Sequence, residues 1–152
     1  MTVTSDTFPD RLLHVRVKHK DGFPSKHGSQ EFLDDLSQLL FPQFCKEVTY
    51  LGVDEVRGAL AGLHRNLEEL LQPLSGKSET WASQIADEFF ERLPVVYERL
   101  WKDARAIYEG DPAAESMDEV ISAYPGFFAI MAYRIAHEFY VRNVPVFPRL
   151  LT

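Results

Sequence analysis

A chain of 152 residues has room for one domain with one sizeable core, and its 45% apolar, 12% aromatic and 26% charged residues mark it as a folding chain rather than a disordered one. Sixteen basic against 23 acidic residues give a formal charge of −7, which argues against a nucleic-acid partner, because that affinity rests on neutralising phosphates. The single cysteine, Cys45, allows no internal disulfide and has no Cys or His neighbour at metal-ligand spacing, which points to a reducing, cytoplasmic setting and no metal site. The stretch from Met1 to Asp10 lacks the order of a signal peptide, and the longest run free of charged and strongly polar side chains, Ala123 to Tyr133, is short and broken at Pro125-Gly126. No membrane association is expected.

Residues 1–28 mix Pro9, Gly22, Pro24 and Gly28 with Arg11, Arg16, Lys18, Lys20 and Lys26. The alternation Leu13, Val15, Val17 resembles a strand without a partner, so this segment is expected to be a flexible or extended arm whose basic charge is solvated. From Ser29 a helical period begins, with Phe32, Leu33, Leu36, Leu39 and Leu40 on one stripe, Ser29 as N-cap and Pro42 past the end. A second helix spans about Val53 to Leu71, turning Val56, Leu60, Leu63, Leu67, Leu70 and Leu71 inward. A third starts near Ser78 with Trp81, Ile85, Phe89 and Leu93, meets Pro94, which should kink it or restart it, and continues through Val96, Leu100, Ala104 and Ile107. Ser116 to Glu119 has capping-box form and opens a short helix through Val120 and Ile121. After the Tyr124-Pro125-Gly126 turn, residues from about Phe127 to Arg142 form a helix apolar around most of its circumference, Tyr140 included, with Asn143 as its cap. Residues Val144 to Thr152 are apolar and read as the start of a longer chain. The expected fold is all-α, a multi-helix, orthogonal or bundle-like domain over residues 29–152.

Several motifs fail on inspection. Gly76-Lys77-Ser78 ends like a P-loop, but position 71 is Leu71 and a helix, not a strand, precedes it. His137-Glu138 opens like a zinc helix, yet position 141 is Val141, so His137 reads as a core histidine paired with a neighbour. No Gly-x-Ser-x-Gly elbow is present. The acid pairs Asp34-Asp35 and Glu68-Glu69 read as solvated helix faces.

Two residues remain. Asp111, at a helix end before Pro112 and two alanines, either holds a carboxylate aimed off the helix towards an ammonium or hydroxyl group or simply makes a turn. Arg134, a charge inside a strongly apolar helix, needs a partner, and a structural ion pair is its simplest role.

The combination Asp111-Pro112-Ala113-Ala114, Tyr124-Pro125-Gly126-Phe127, Ala129-Ile130, Tyr133-Arg134-Ile135-Ala136-His137, Val144-Pro145 and Pro148-Arg149 closely resembles the helical N-terminal region of bacterial serine O-acetyltransferases. Leu39-Leu40-Phe41-Pro42 and the helix from Val53 resemble the longer-headed branch of that family. The resemblance implies an acyltransferase of cysteine biosynthesis, moving acetyl from acetyl-CoA to the hydroxyl of L-serine, in which such heads join subunits into a homo-oligomer. It also implies that the catalytic histidine lies in a following left-handed β-helix, absent here. This chain would then hold no catalytic residue, bind no cofactor itself and be inactive alone, while Asp111 would serve the serine site. The alternative is a stand-alone, non-catalytic helical oligomerisation or interaction module.

Overall fold

The computed structural model describes residues 7–18, 22–47, 51–76, 78 and 80–152. Of the residues named above, Met1, Lys20 and Lys77 lie outside this set. The described residues form seven α-helices: α1 (Phe8–Lys18), α2 (Lys26–Leu40), α3 (Val53–Leu71), α4 (Trp81–Gly110), α5 (Met117–Ala123), α6 (Pro125–Tyr140) and α7 (Phe147–Leu151). Single 3-10 turns at Pro42–Phe44 and Gln72–Leu74 follow α2 and α3. No strand occurs among them, so the all-α expectation holds.

The long α4 is the axis of the fold. Its i, i+4 row buries Ile85, Phe89, Leu93, Val96, Leu100 and Ala104, and it packs against α3, α5 and α6. Pro94 neither ends nor restarts this helix. It lies on the exposed side, where water can take the Phe90 carbonyl that a proline four residues later leaves without a donor.

Aromatic side chains build the core in two clusters. Phe89 stacks on Phe139 at 4.6 Å, Phe147 meets Phe139 edge-on at 4.9 Å, and Phe32 closes the group. Phe41, fully buried, packs within 5.5 Å of the rings of Tyr97, Trp101 and Phe127. Such tilted and edge-on pairs stabilise by roughly 0.5–1.5 kcal/mol each beyond burial.

Three expectations change. Residues 8–18 are helical rather than extended, although none of them is buried. The Leu13, Val15, Val17 alternation therefore spreads around a helix. The N-cap of α2 is Ser25, whose Oγ accepts from the Gly28 N–H at 3.1 Å, while Ser29 is buried inside the first turn and donates to the Ser25 carbonyl. Tyr140 is 70% exposed, not part of the covered surface of α6.

The apolar tail packs onto the core, where Val144, Phe147 and Leu151 are buried. The chain reverses there in two steps. Asn143 adopts φ 56°, a left-handed conformation that asparagine tolerates after a helix. Val146, at φ 63°, then makes a γ-turn in which the Phe147 N–H donates to the Pro145 carbonyl at 2.6 Å. A β-branched residue adopts that conformation only at a cost, which burial of Phe147 and Leu151 offsets.

Candidate functional site

Asp111 stands where α4 ends. Its N–H still donates to the Ile107 carbonyl at 3.1 Å, but its own backbone is extended (φ −112°, ψ 105°), so the side chain leaves the helix. Oδ1 accepts from the Ala113 N–H at 2.9 Å, an Asx turn across Pro112. Oδ2 accepts from the Tyr124 hydroxyl at 2.7 Å. Tyr124 is the N-cap residue of α6, held there because Pro125 takes the first helical position.

A turn and an aimed carboxylate thus coexist at Asp111. The Tyr124 hydroxyl, then the Ala113 N–H, hold the Asp111 carboxyl below the usual aspartate range. In return Asp111 pushes the Tyr124 phenol up to about 12. A carboxylate fixed in charge and direction by two donors, with lone pairs still free, suits an ammonium or hydroxyl ligand. The site is open, and Tyr124 borders a depression of about 360 Å3 with Phe44 and Phe128.

The short α5 braces this corner. The Ser116 hydroxyl accepts from the Glu119 N–H at 3.1 Å, as its capping-box spacing predicts. The Glu119 carboxylate reaches back one residue further than expected, accepting from the Glu115 N–H at 2.7 Å. Asp118 accepts from the Gln43 amide at 2.7 Å, tying α5 to the turn after α2. Sequence reasoning missed Tyr124 as a partner of Asp111. The thirteen-residue separation carries no periodic signal, and only the fold makes the contact.

Arg134 is explained by structure alone. Its Nη2 donates to Asp103 Oδ1 at 2.7 Å and its Nε to Oδ2, a bidentate clamp of α6 onto α4. A second network lies further along α6. The buried Glu138 accepts from Arg142 at 3.0 Å and lies 3.6 Å from Arg92, while Arg142 also donates to Glu88 at 3.1 Å.

His137 corrects the sequence reading. It is exposed and stacked between Tyr133 and Tyr140, with ring centroids 5.7 and 6.1 Å away, rather than paired in the core. Elsewhere, His64 Nε2 lies 2.7 Å from Asp87 Oδ1, and no cluster of potential metal ligands occurs among the described residues. No helix among them is long and apolar enough to cross a membrane.

Comparison with known proteins places these residues in context. No protein-family model matches the chain. It is 39% identical over 69 residues to the plasmid-borne serine acetyltransferase of Synechococcus elongatus, covering 45% of this chain and 22% of that protein. It is 46% identical over 57 residues to a second serine acetyltransferase of the same organism, covering 38% and 23%, and 41% identical over 56 residues to that of Bacillus subtilis, covering 37% and 26%.

Among solved structures, serine acetyltransferase 1 of Entamoeba histolytica in complex with L-cysteine matches with a TM-score of 0.68 and 29% identity, over 78% of this chain and 43% of that one. The native form of the same enzyme matches with a TM-score of 0.68 and 26% identity, over 93% and 54%. The chain spans about a quarter of the length of the curated relatives it matches. The resemblance to serine acetyltransferases is therefore borne out in both sequence and fold.

Proposed function

We propose that this chain forms the helical N-terminal domain of a serine O-acetyltransferase, which transfers acetyl from acetyl-CoA to the L-serine hydroxyl in cysteine biosynthesis. The observation that carries this reading is the joint match of sequence and helical fold to serine acetyltransferases, over a span much shorter than those proteins. Asp111 is the residue assigned to substrate. A carboxylate kept ionised by Tyr124 and Ala113 would accept hydrogen bonds from the serine ammonium without giving up its charge. Acetyl transfer also needs a general base near neutral pH, and no histidine described here is assigned that role. His137 is stacked, His64 is bonded to Asp87, and His14 and His27 lie exposed on α1 and α2. The isolated chain is accordingly expected to lack turnover and to bind no acetyl-CoA.

The helices would also serve homo-oligomerisation. The Tyr133, His137, Tyr140 ladder with the exposed Val141 supplies an amphipathic aromatic surface of the kind enriched at interfaces.

The test is steady-state kinetics of the enzyme carrying this domain together with its catalytic part. Asp111→Asn should raise KM for serine at least about tenfold, the scale of one charged hydrogen bond, with KM for acetyl-CoA unchanged. Unaltered serine kinetics would remove Asp111 from the site.

A further inference from the structure

Helix α1 and the α2–α3 groove carry complementary features. On α1, Phe8, Leu12 and Val15 recur at i, i+4 and i+7, the spacing of a helix that lays one face into a groove. All three are exposed, Phe8 by 64%. Arg11 and Arg16 flank that stripe on the helical wheel and Lys18 ends it, against one acid, Asp10.

The groove, about 650 Å3, is walled by Leu39, Pro42, Leu51, Val56 and Leu63, with Ala59 and Gly62 contributing little side-chain bulk. Its acidic rim is Asp35, next to Asp34 and Glu31. Burial first, then repulsion from Glu31 and Asp34, raises the Asp35 carboxyl, as expected for a carboxylate short of cations. A second apolar groove of about 720 Å3 lies between α3 and α4, but its rim carries His64 and Arg65, which suit a cationic helix poorly.

Chain length permits the register that charge favours. Gly28 packs at Leu70, while Leu39 and Val56 share the groove wall, so α2 and α3 run antiparallel. Pro24 is buried just before α2, and the six Cα steps from Lys18 to Pro24 span at most about 22 Å. With a helical rise of 1.5 Å per residue, an α1 antiparallel to α2 whose Lys18 lies beside Glu31 places Arg16 near Asp34 and Asp35. Leu12 then falls near Leu39, and Phe8 near Pro42 and Cys45.

We propose that α1 folds back on its own chain and seats the Phe8, Leu12, Val15 stripe in the α2–α3 groove as a strap. The strap requires neither serine nor a second subunit, so it stands apart from the acetyltransferase reading.

Cys45 lines the groove and provides the test in the full chain. Phe8→Cys should form an intramolecular disulfide with Cys45 in a thiol–disulfide buffer. Leu13→Cys, on the opposite face of α1, should do so about tenfold more slowly, the advantage that a defined docked geometry gives over a free tether. Adding Arg16→Glu and Lys18→Glu should erase the difference. No residue of α1 is buried, so these variants keep the core, and circular dichroism verifies it. Equal rates for the two cysteines, no cross-link, or a cross-link found only between two chains would each overturn the proposal.

Discussion

The helices α4 and α6 and the helix α1 use similar side chains to opposite ends. α6 turns Phe127, Met131, Ile135 and Phe139 to one side, where they are buried against α4. α1 has Phe8, Leu12, Leu13, Val15 and Val17 in eleven residues and buries none. The difference lies in spacing. Leu13 and Val17 point away from the Phe8, Leu12, Val15 stripe, so no single face collects enough apolar area to join the core. A helix of eleven residues is marginal in water on its own propensity, and α1 therefore gains order only from whatever it packs against. Polar contacts divide the two regions in the same way: the bidentate Arg134 clamp and the Glu138 network lie on α4 and α6, whereas α1 bonds only within itself among the contacts described.

Truncating one aromatic in each region is the largest test of this contrast. Phe89→Ala removes a fully buried ring that contacts Phe32, Phe90 and Phe139, and should cost about 3–5 kcal/mol. Phe8→Ala should cost under about 1 kcal/mol. Urea midpoints at constant m-value measure both, and equal losses would show that α1 belongs to the core. The next effect is smaller. Arg134→Ala strips Asp103 of its clamp, and because both side chains keep some exposure (32% and 19%) the loss should be about 1–3 kcal/mol, below that of a fully buried pair. Asp103→Ala should cost a similar amount and the double variant little more than either; additive losses would mean that the two residues act separately.

Much of the packed half was legible because it obeys one period. The row from Ile85 to Ala104 and the leucines of α3 declared their inward faces, and Ser116 with Glu119 declared a helix start. The residues that misled are those whose environment is set by distant chain. Phe41 sits outside any helical stripe, yet is fully buried among three aromatic rings from α4 and α6. His137 and Tyr140 fall in an apolar stretch but face outward, because α4 covers only one side of α6. The tail of Val144 to Leu151 carried no sign of its path, because two positive-φ residues, Asn143 and Val146, turn it back onto the core. At the candidate site, Asp111 was found from local spacing, helix end and proline. Its geometry was not, because the phenol that directs it comes from the far side of α5.

That phenol supplies the subtlest prediction. The Asp111 carboxyl is held below the usual aspartate value of about 3.9, so the bond stabilises the fold above that pH and fades as pH falls through the lowered native value. Tyr124 titrates the opposite way. Its phenol is raised from about 10 to about 12, so its contribution is complete below the unfolded value and is lost as pH climbs through the native one. Both shifts arise chiefly from one hydrogen bond. Tyr124→Phe should therefore move the Asp111 titration, followed by carboxyl-carbon NMR, upward towards the ordinary value, without restoring it fully while the Ala113 N–H still donates. An Asp111 that titrates identically in wild type and variant would leave the carboxylate with no director from α6, and its alignment would then rest on the Asx turn alone.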